Sequence, residues 1–131
     1  MQNTHPPIPI GFVRDLFATL SGTKAAEIDD ADFAAFPEQC QLAPSFGISH
    51  GPHDIAQAVD SAWPHPAGAE HVDALVVIRG NDIKMDHYKA IQKKLRQKLH
   101  ESSTLLIAFN KSDTVPSGTV SLVFLAIASP N

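Results

Sequence analysis

Five residues near the middle of the chain restrict its fold more than any other feature. Ala74-Leu75-Val76-Val77-Ile78 carries no polar side chain. A run this short and this apolar reads as a strand buried within a sheet. Such a strand needs neighbours beside it and cover over its faces, and the remaining residues have to supply both.

The supply can be read along the chain. Phe12, Val13, Leu16, Phe17 and Leu20 fall at helical spacing with Gly22 just beyond, which predicts an amphipathic helix over 11–20. Phe33 and Phe36 precede Pro37, so a short helix capped by Asp29 or Asp30 is expected there. Residues 40–48 read as a weak strand, and Pro44 inside it suits an edge or a bulge. Ile55, Ala58, Val59, Ala62 and Trp63 mark a helix ended by Pro64. After the buried strand, Gly80-Asn81-Asp82 makes a turn into a longer helix from about 84 to 100. Tyr88, Ile91, Leu95 and Leu99 form its inward stripe, and Lys89, Lys93, Lys94, Arg96 and Lys98 its wet side. Strands follow at 105–109 and 120–128, and the polar loop between them makes an antiparallel hairpin the simple connection.

From residue 40 the order is β-α-β-α-β-β. The expected class is α/β (α+β): a mixed four-stranded sheet with two helices on one face, preceded by an N-terminal helix. Residues 10–131 would form a single domain behind an extended, proline-rich tail over 1–9. The second face, for which Val77, Ile107, Val123 and Leu125 are candidates, would be covered by the N-terminal helix, by another subunit or by water.

Composition decides a few further points. With 44% hydrophobic and 18% charged residues, the chain should fold rather than stay disordered. No apolar run is long enough to cross a bilayer, and the start has no basic signal-peptide pattern, so a cytoplasmic protein is expected. The lone Cys40 excludes an internal disulfide and reads as a small core residue. The net charge of −4 is uneven: residues 1–75 hold two basic and ten acidic groups, and residues 76–131 eight basic and four acidic. That division favours head-to-tail protein contact and disfavours a nucleic-acid partner, although a solvated helix and an acidic loop would also produce it.

Motifs for chemistry are scarce. Seven scattered glycines make no phosphate-binding loop, and no nucleophile-elbow pattern occurs. His50, His53, His65 and His71 are too loosely spaced for a metal site, and neither a metal nor a cofactor is expected. The acidic stretch Glu27-Ile28-Asp29-Asp30-Ala31-Asp32 is the most distinctive local feature. Its carboxylates could converge on a water or a cation, or simply cap the helix that follows.

The segment 74–80, a helix, Leu105–Phe109, a polar turn and Val120–Ile127 together resemble the C-terminal domain of the bacterial tubulin homologue FtsZ. In that family a VLVNITGG-type strand precedes a helix. A NIIFGA-type strand, an acidic turn and a VRVTVIATG-type strand follow. Upstream, Gly47–Gly51, the helix and Ala62–Pro66 resemble the family's glycine-rich stretch, helix and SSPLL segment, so the likeness spans about 11–128. It implies that Glu27, Asp29 and Asp32 stand where the family has its catalytic NxDxxD loop. That loop reaches into the nucleotide pocket of the next subunit. Here Asp29 and Asp32 match the aspartates, and Glu27 replaces the asparagine. The GGGTGTG loop of the family's GTP-binding domain has no counterpart.

The resemblance implies a non-enzymatic interaction or assembly module of the division type, docking on a nucleotide-binding or filament-forming partner. Glu27, Asp29 and Asp32 would serve as its contact loop, and homo-oligomerisation is expected. The same element order also resembles the small trimeric chorismate mutases and RidA-type proteins. That alternative implies an enzyme or ligand-binding protein with intersubunit sites, in which Arg79 with Arg14 or Arg96 would clamp a carboxylate.

Overall fold

The computed structural model describes residues 7–22, 33–50, 54–63 and 72–128. In chain order the elements are β1 (Ile8–Pro9), α1 (Ile10–Ser21), β2 (Gln39–Ser49), α2 (Ile55–Ala62), β3 (Val72–Gly80), α3 (Met85–Lys98), β4 (Leu105–Lys111) and β5 (Val120–Ala128). The class is α+β, with a mixed sheet and, among the described residues, three helices.

The sheet has five strands, in the order β1-β2-β5-β3-β4, where four were expected. The extra one is β1: Ile8 and Pro9 pair with Cys40 and Gln39. Half-buried Ile8 packs beside Cys40 and so joins the core. A second correction concerns β5. It does not form a hairpin with β4 but runs between β2 and β3, antiparallel to both. Burial explains the choice. Leu122, Phe124, Leu125, Ala126 and Ile127 are at most 1% exposed, so this strand belongs at the centre. β4, with exposed Phe109, sits at the border instead. The parallel β3–β4 pair is bridged by α3, as a crossover requires.

Alternation along the central strands divides the core in two. On one face Ala74, Val76, Ile78, Leu122, Phe124 and Ala126 meet α2 and α3. Trp63 stands edge-on to Phe124 at 6.0 Å. On α3, His87, Ile91 and Leu95 are buried four residues apart, and Leu99 continues the stripe. Asp60 of α2 binds Lys94 at 3.0 Å and Lys98 at 2.7 Å, so these two lysines lean on α2 instead of standing in water. Ile107 also packs on this side, contrary to its expected place on the other face.

The other face is covered by α1. Val13 and Phe17 press on Leu75, Val77, Leu125 and Ile127, with Phe33, Phe36 and Cys40 completing the cluster. Each such side chain withdrawn from water contributes about 1.5–3 kcal/mol. Phe12 was expected in this stripe but is 55% exposed, because α1 touches the sheet along a single line of residues. That line is diagonal. α1 starts beside β2, where the Ile10 N–H donates to the Glu38 carbonyl at 2.8 Å, and ends beside β4. Twelve residues span about 18 Å, just enough to cross the three strand spacings from β2 to β4.

Candidate functional site

Glu27, Asp29 and Asp32 lie outside the described residues, as do His53, His65 and His71. The structure does describe the residues that come before the acidic stretch. α1 ends at Gly22, whose φ of 75° is left-handed. The Asn110 side-chain amide donates to the Leu20 carbonyl at 3.0 Å, filling one of the acceptors that a helix end leaves open. A Cβ on Gly22 would come 3.4 Å from the same side chain. The contact links residues ninety apart, and it fastens α1 to the end of β4.

The carboxyl ends of β3 and β4 meet the start of α3 at this same border. Asn81, Asp82, Ile83, Lys84, Met85, Phe109 and Lys111 line a cleft of about 460 Å³. Two large apolar side chains stand open in it, Met85 at 62% and Phe109 at 45% exposure. Phe109 is steadied by Tyr88, ring centre to ring centre 5.8 Å. Lys84 and Asp82 approach only to 3.8 Å on open surface, a contact of little energetic weight. Arg79 donates to the Ser112 hydroxyl at 3.2 Å, and the Ser112 N–H donates to the Gly80 carbonyl at 2.8 Å, so the strand ends are laced together. Gly80 is required here: a Cβ would come 2.9 Å from Val120 and 3.1 Å from Ile83.

Beneath the cleft, His87 closes the first turn of α3. Its Nδ1 accepts the Lys84 N–H at 3.0 Å, and the His87 backbone N–H donates to the Lys84 carbonyl at 3.0 Å. An acceptor Nδ1 places the ring proton of a neutral imidazole on Nε2. The ring takes the part that a glutamate or glutamine at the third helical position plays in a capping box, accepting the N–H of the residue before the helix. Spacing carried the signal for its burial, since 87, 91 and 95 share one helix face.

The remaining candidates fall elsewhere. Burial raises the Cys40 thiol pKa, and its Sγ donates to the Ile8 carbonyl at 3.4 Å, as suits a core residue. His50 is exposed, and its N–H donates to Asp54. Away from these candidates, the Ser102 N–H donates to His100 Nδ1 at 3.1 Å and its hydroxyl lies 2.7 Å from the same atom, a local turn contact. The three arginines are not brought together within the chain. Arg79 lies at the carboxyl end of β3, and Arg96 donates to the Ser103 carbonyl just before β4 begins, at the opposite end of the parallel pair. Arg14 belongs to α1 on the other face. What the cleft offers is the apolar surface of Ile83, Met85 and Phe109 beside Lys84, Lys111 and Asp82.

No protein-family model matches the sequence, and no curated protein matches it. Solved structures do. An empty FtsZ dimer from M. jannaschii superposes with a TM-score of 0.61 at 18% identity, covering 78% of this chain. A single-site mutant of the same FtsZ gives a TM-score of 0.60 at 16% identity over 79% of this chain. The chain spans about a third of the length of those FtsZ chains, 31% and 32%. The fold is therefore that of an FtsZ-like domain, in keeping with the expected C-terminal one.

Proposed function

We propose that this chain is a non-enzymatic assembly module that docks a protein partner through the border where β3, β4 and α3 meet. The observation that carries the reading is the open apolar pair Met85 and Phe109, side by side in one cleft between Lys84 and Lys111. Burying such a pair is what an interface centre requires, and long lysines suit its rim. The shared fold supports a partner of the FtsZ kind, and the resemblance implies one that binds a nucleotide or forms filaments. On the same reading Glu27, Asp29 and Asp32, the acidic residues that follow α1 in the sequence, belong to this contact, as the family resemblance implies.

Fluorescence titration of the end-labelled chain against purified FtsZ, with and without GTP, tests the reading. Saturable binding is expected, weakened at least tenfold by Phe109→Asp, and reduced by Asp29→Ala with Asp32→Ala. Both sets of substitutions should leave the fold intact by circular dichroism. Absence of binding under both conditions, or binding indifferent to Phe109→Asp, overturns it. The chain alone should bind no GTP by calorimetry.

A further inference from the structure

We infer that two copies of this chain pair antiparallel along β2, across a two-fold axis near Phe46, to make one continuous sheet. The inference is independent of docking at Met85 and Phe109, which lie at the opposite border of the sheet.

β2 forms the long border strand. Among the described residues its outer side is paired only at Gln39 and Cys40, where β1 lies. The Ile10 N–H to Glu38 carbonyl bond continues that short ladder and reveals which main-chain groups face outward. They belong to the even-numbered residues, since partners alternate along a strand. Beyond Cys40 these are Leu42, Pro44, Phe46 and Ile48, while the odd-numbered residues turn towards β5. Pro44 has no N–H to give. Its outward position explains why proline is accepted in a strand otherwise paired without interruption to β5 from Gln41 to Ser49.

The same residues carry their side chains on the face crossed by α1. α1 runs diagonally from the start of β2 to the end of β4, so the corner at the far end of β2 stays open. Phe46 is 59% exposed there and Ile48 49%. Border strands are usually guarded by a lysine, an inward charge or a bulge. Gln39–Ser49 has no charged residue and, over 41–49, no bulge. Pro44 is its one guard.

An open row of alternating N–H and carbonyl groups is matched by another extended main chain. A second copy fits by charge as well. Each chain carries a net charge of −4, yet β2 itself is neutral, so self-pairing sets no like charges against each other along the strands. With Phe46 opposite its own equivalent, Ile48 faces Pro44 of the second copy. About four main-chain hydrogen bonds form in that register, the missing proline N–H being the loss at each end. Both Phe46 and both Ile48 side chains then meet on one face. On the other, the grooves of about 320 Å³ between β2 and α2 merge. Antiparallel pairing puts the two Asp54 carboxylates, which line those grooves, at opposite ends.

Light scattering and sedimentation across a concentration series provide the test, with amide hydrogen exchange read by NMR at Phe46 and Ile48. The mass should rise from 14.1 kDa to twice that value, with slower exchange of both amides as it rises. Ile48→Lys and Phe46→Lys should weaken pairing at least tenfold. Phe12→Lys, an equally open site on α1, should leave it unchanged. Because all three positions are exposed, circular dichroism should confirm folded variants. A monomer at every concentration overturns the inference, as does a dimer indifferent to both β2 lysines. Slow exchange of Phe46 in a monomer does so too, since the border would then be covered from within the chain. None of these results bears on the FtsZ titration, so the two readings fail separately.

Discussion

The two faces of the sheet are closed in different ways. On one, α2 and α3 lie side by side and are tied together by Asp60, with Trp63 and Phe124 filling the space between helix and strand. On the other, among the described residues, α1 and the pair Phe33 and Phe36 cover the centre, and the corner at Phe46 and Ile48 is left open. Two crossover helices next to their own strands close most of their face, with Met85 and Phe109 left open at its border. The diagonal α1 leaves a corner open at the other border, so each side keeps some apolar surface for a partner.

Truncating the two leucines of β5 that face opposite ways sharpens this contrast most. Leu122 points to the α2–α3 side and Leu125 to the α1 side, and both are at most 1% exposed. Each Leu→Ala change should cost about 2–5 kcal/mol in urea unfolding, Leu122 the more, because a face held by two helices relaxes less around a cavity. Equal costs, or a larger one at Leu125, would mean that α1 is as rigid a lid as the helix pair.

A smaller effect is expected where α1 is fastened. Asn110→Ala leaves the Leu20 carbonyl without its donor and should destabilise by about 0.5–1.5 kcal/mol. Hydrogen exchange should quicken in the last turn of α1 and not in α3. Uniform quickening would show that the two faces unfold as one unit.

The smallest effect is electrostatic and belongs to the helix pair. Hydrogen bonds from Lys98 and then Lys94, with their charge, hold the Asp60 carboxyl below its ordinary range. The fold thus binds that proton less readily than the unfolded chain does. Its stabilisation is complete above the usual aspartate range near pH ~4 and is lost as the pH falls through the lowered folded value. Asp60→Asn should therefore flatten the acid side of the stability profile slightly, and salt should mask the difference, since the site is exposed. A salt-independent loss would mean that Asp60 matters through packing.

Much of this architecture was readable beforehand. The helices announced themselves by spacing and by their stops at Gly22 and Pro64, and the last strand was placed at its observed bounds. The expected FtsZ-like fold agrees with the solved structures. Phe12 was misplaced because a helical pattern states which residues share a side, not how wide the buried line will be. β1 was missed because two residues carry no periodicity, and β5 was given the wrong neighbour because a loop of any length permits a hairpin without requiring one. Of the surface proposed for docking, the acidic stretch was noticed for its charge density, whereas Met85 and Phe109 looked like ordinary hydrophobic residues.

What the sequence determined by itself is local: where each element starts and stops, which side of each is apolar, and that Ala74–Ile78 must be buried. Periodicity and capping act over a few residues, so they are written in consecutive letters. The tertiary structure alone decided which strands became borders, that Asn110 holds α1, and that Phe46, Ile48, Met85 and Phe109 stay in water. Those outcomes depend on contacts between residues tens of positions apart. They come from a competition among strands for the two-sided burial at the sheet's centre, which β3 and β5 won by having the least polar surface to lose.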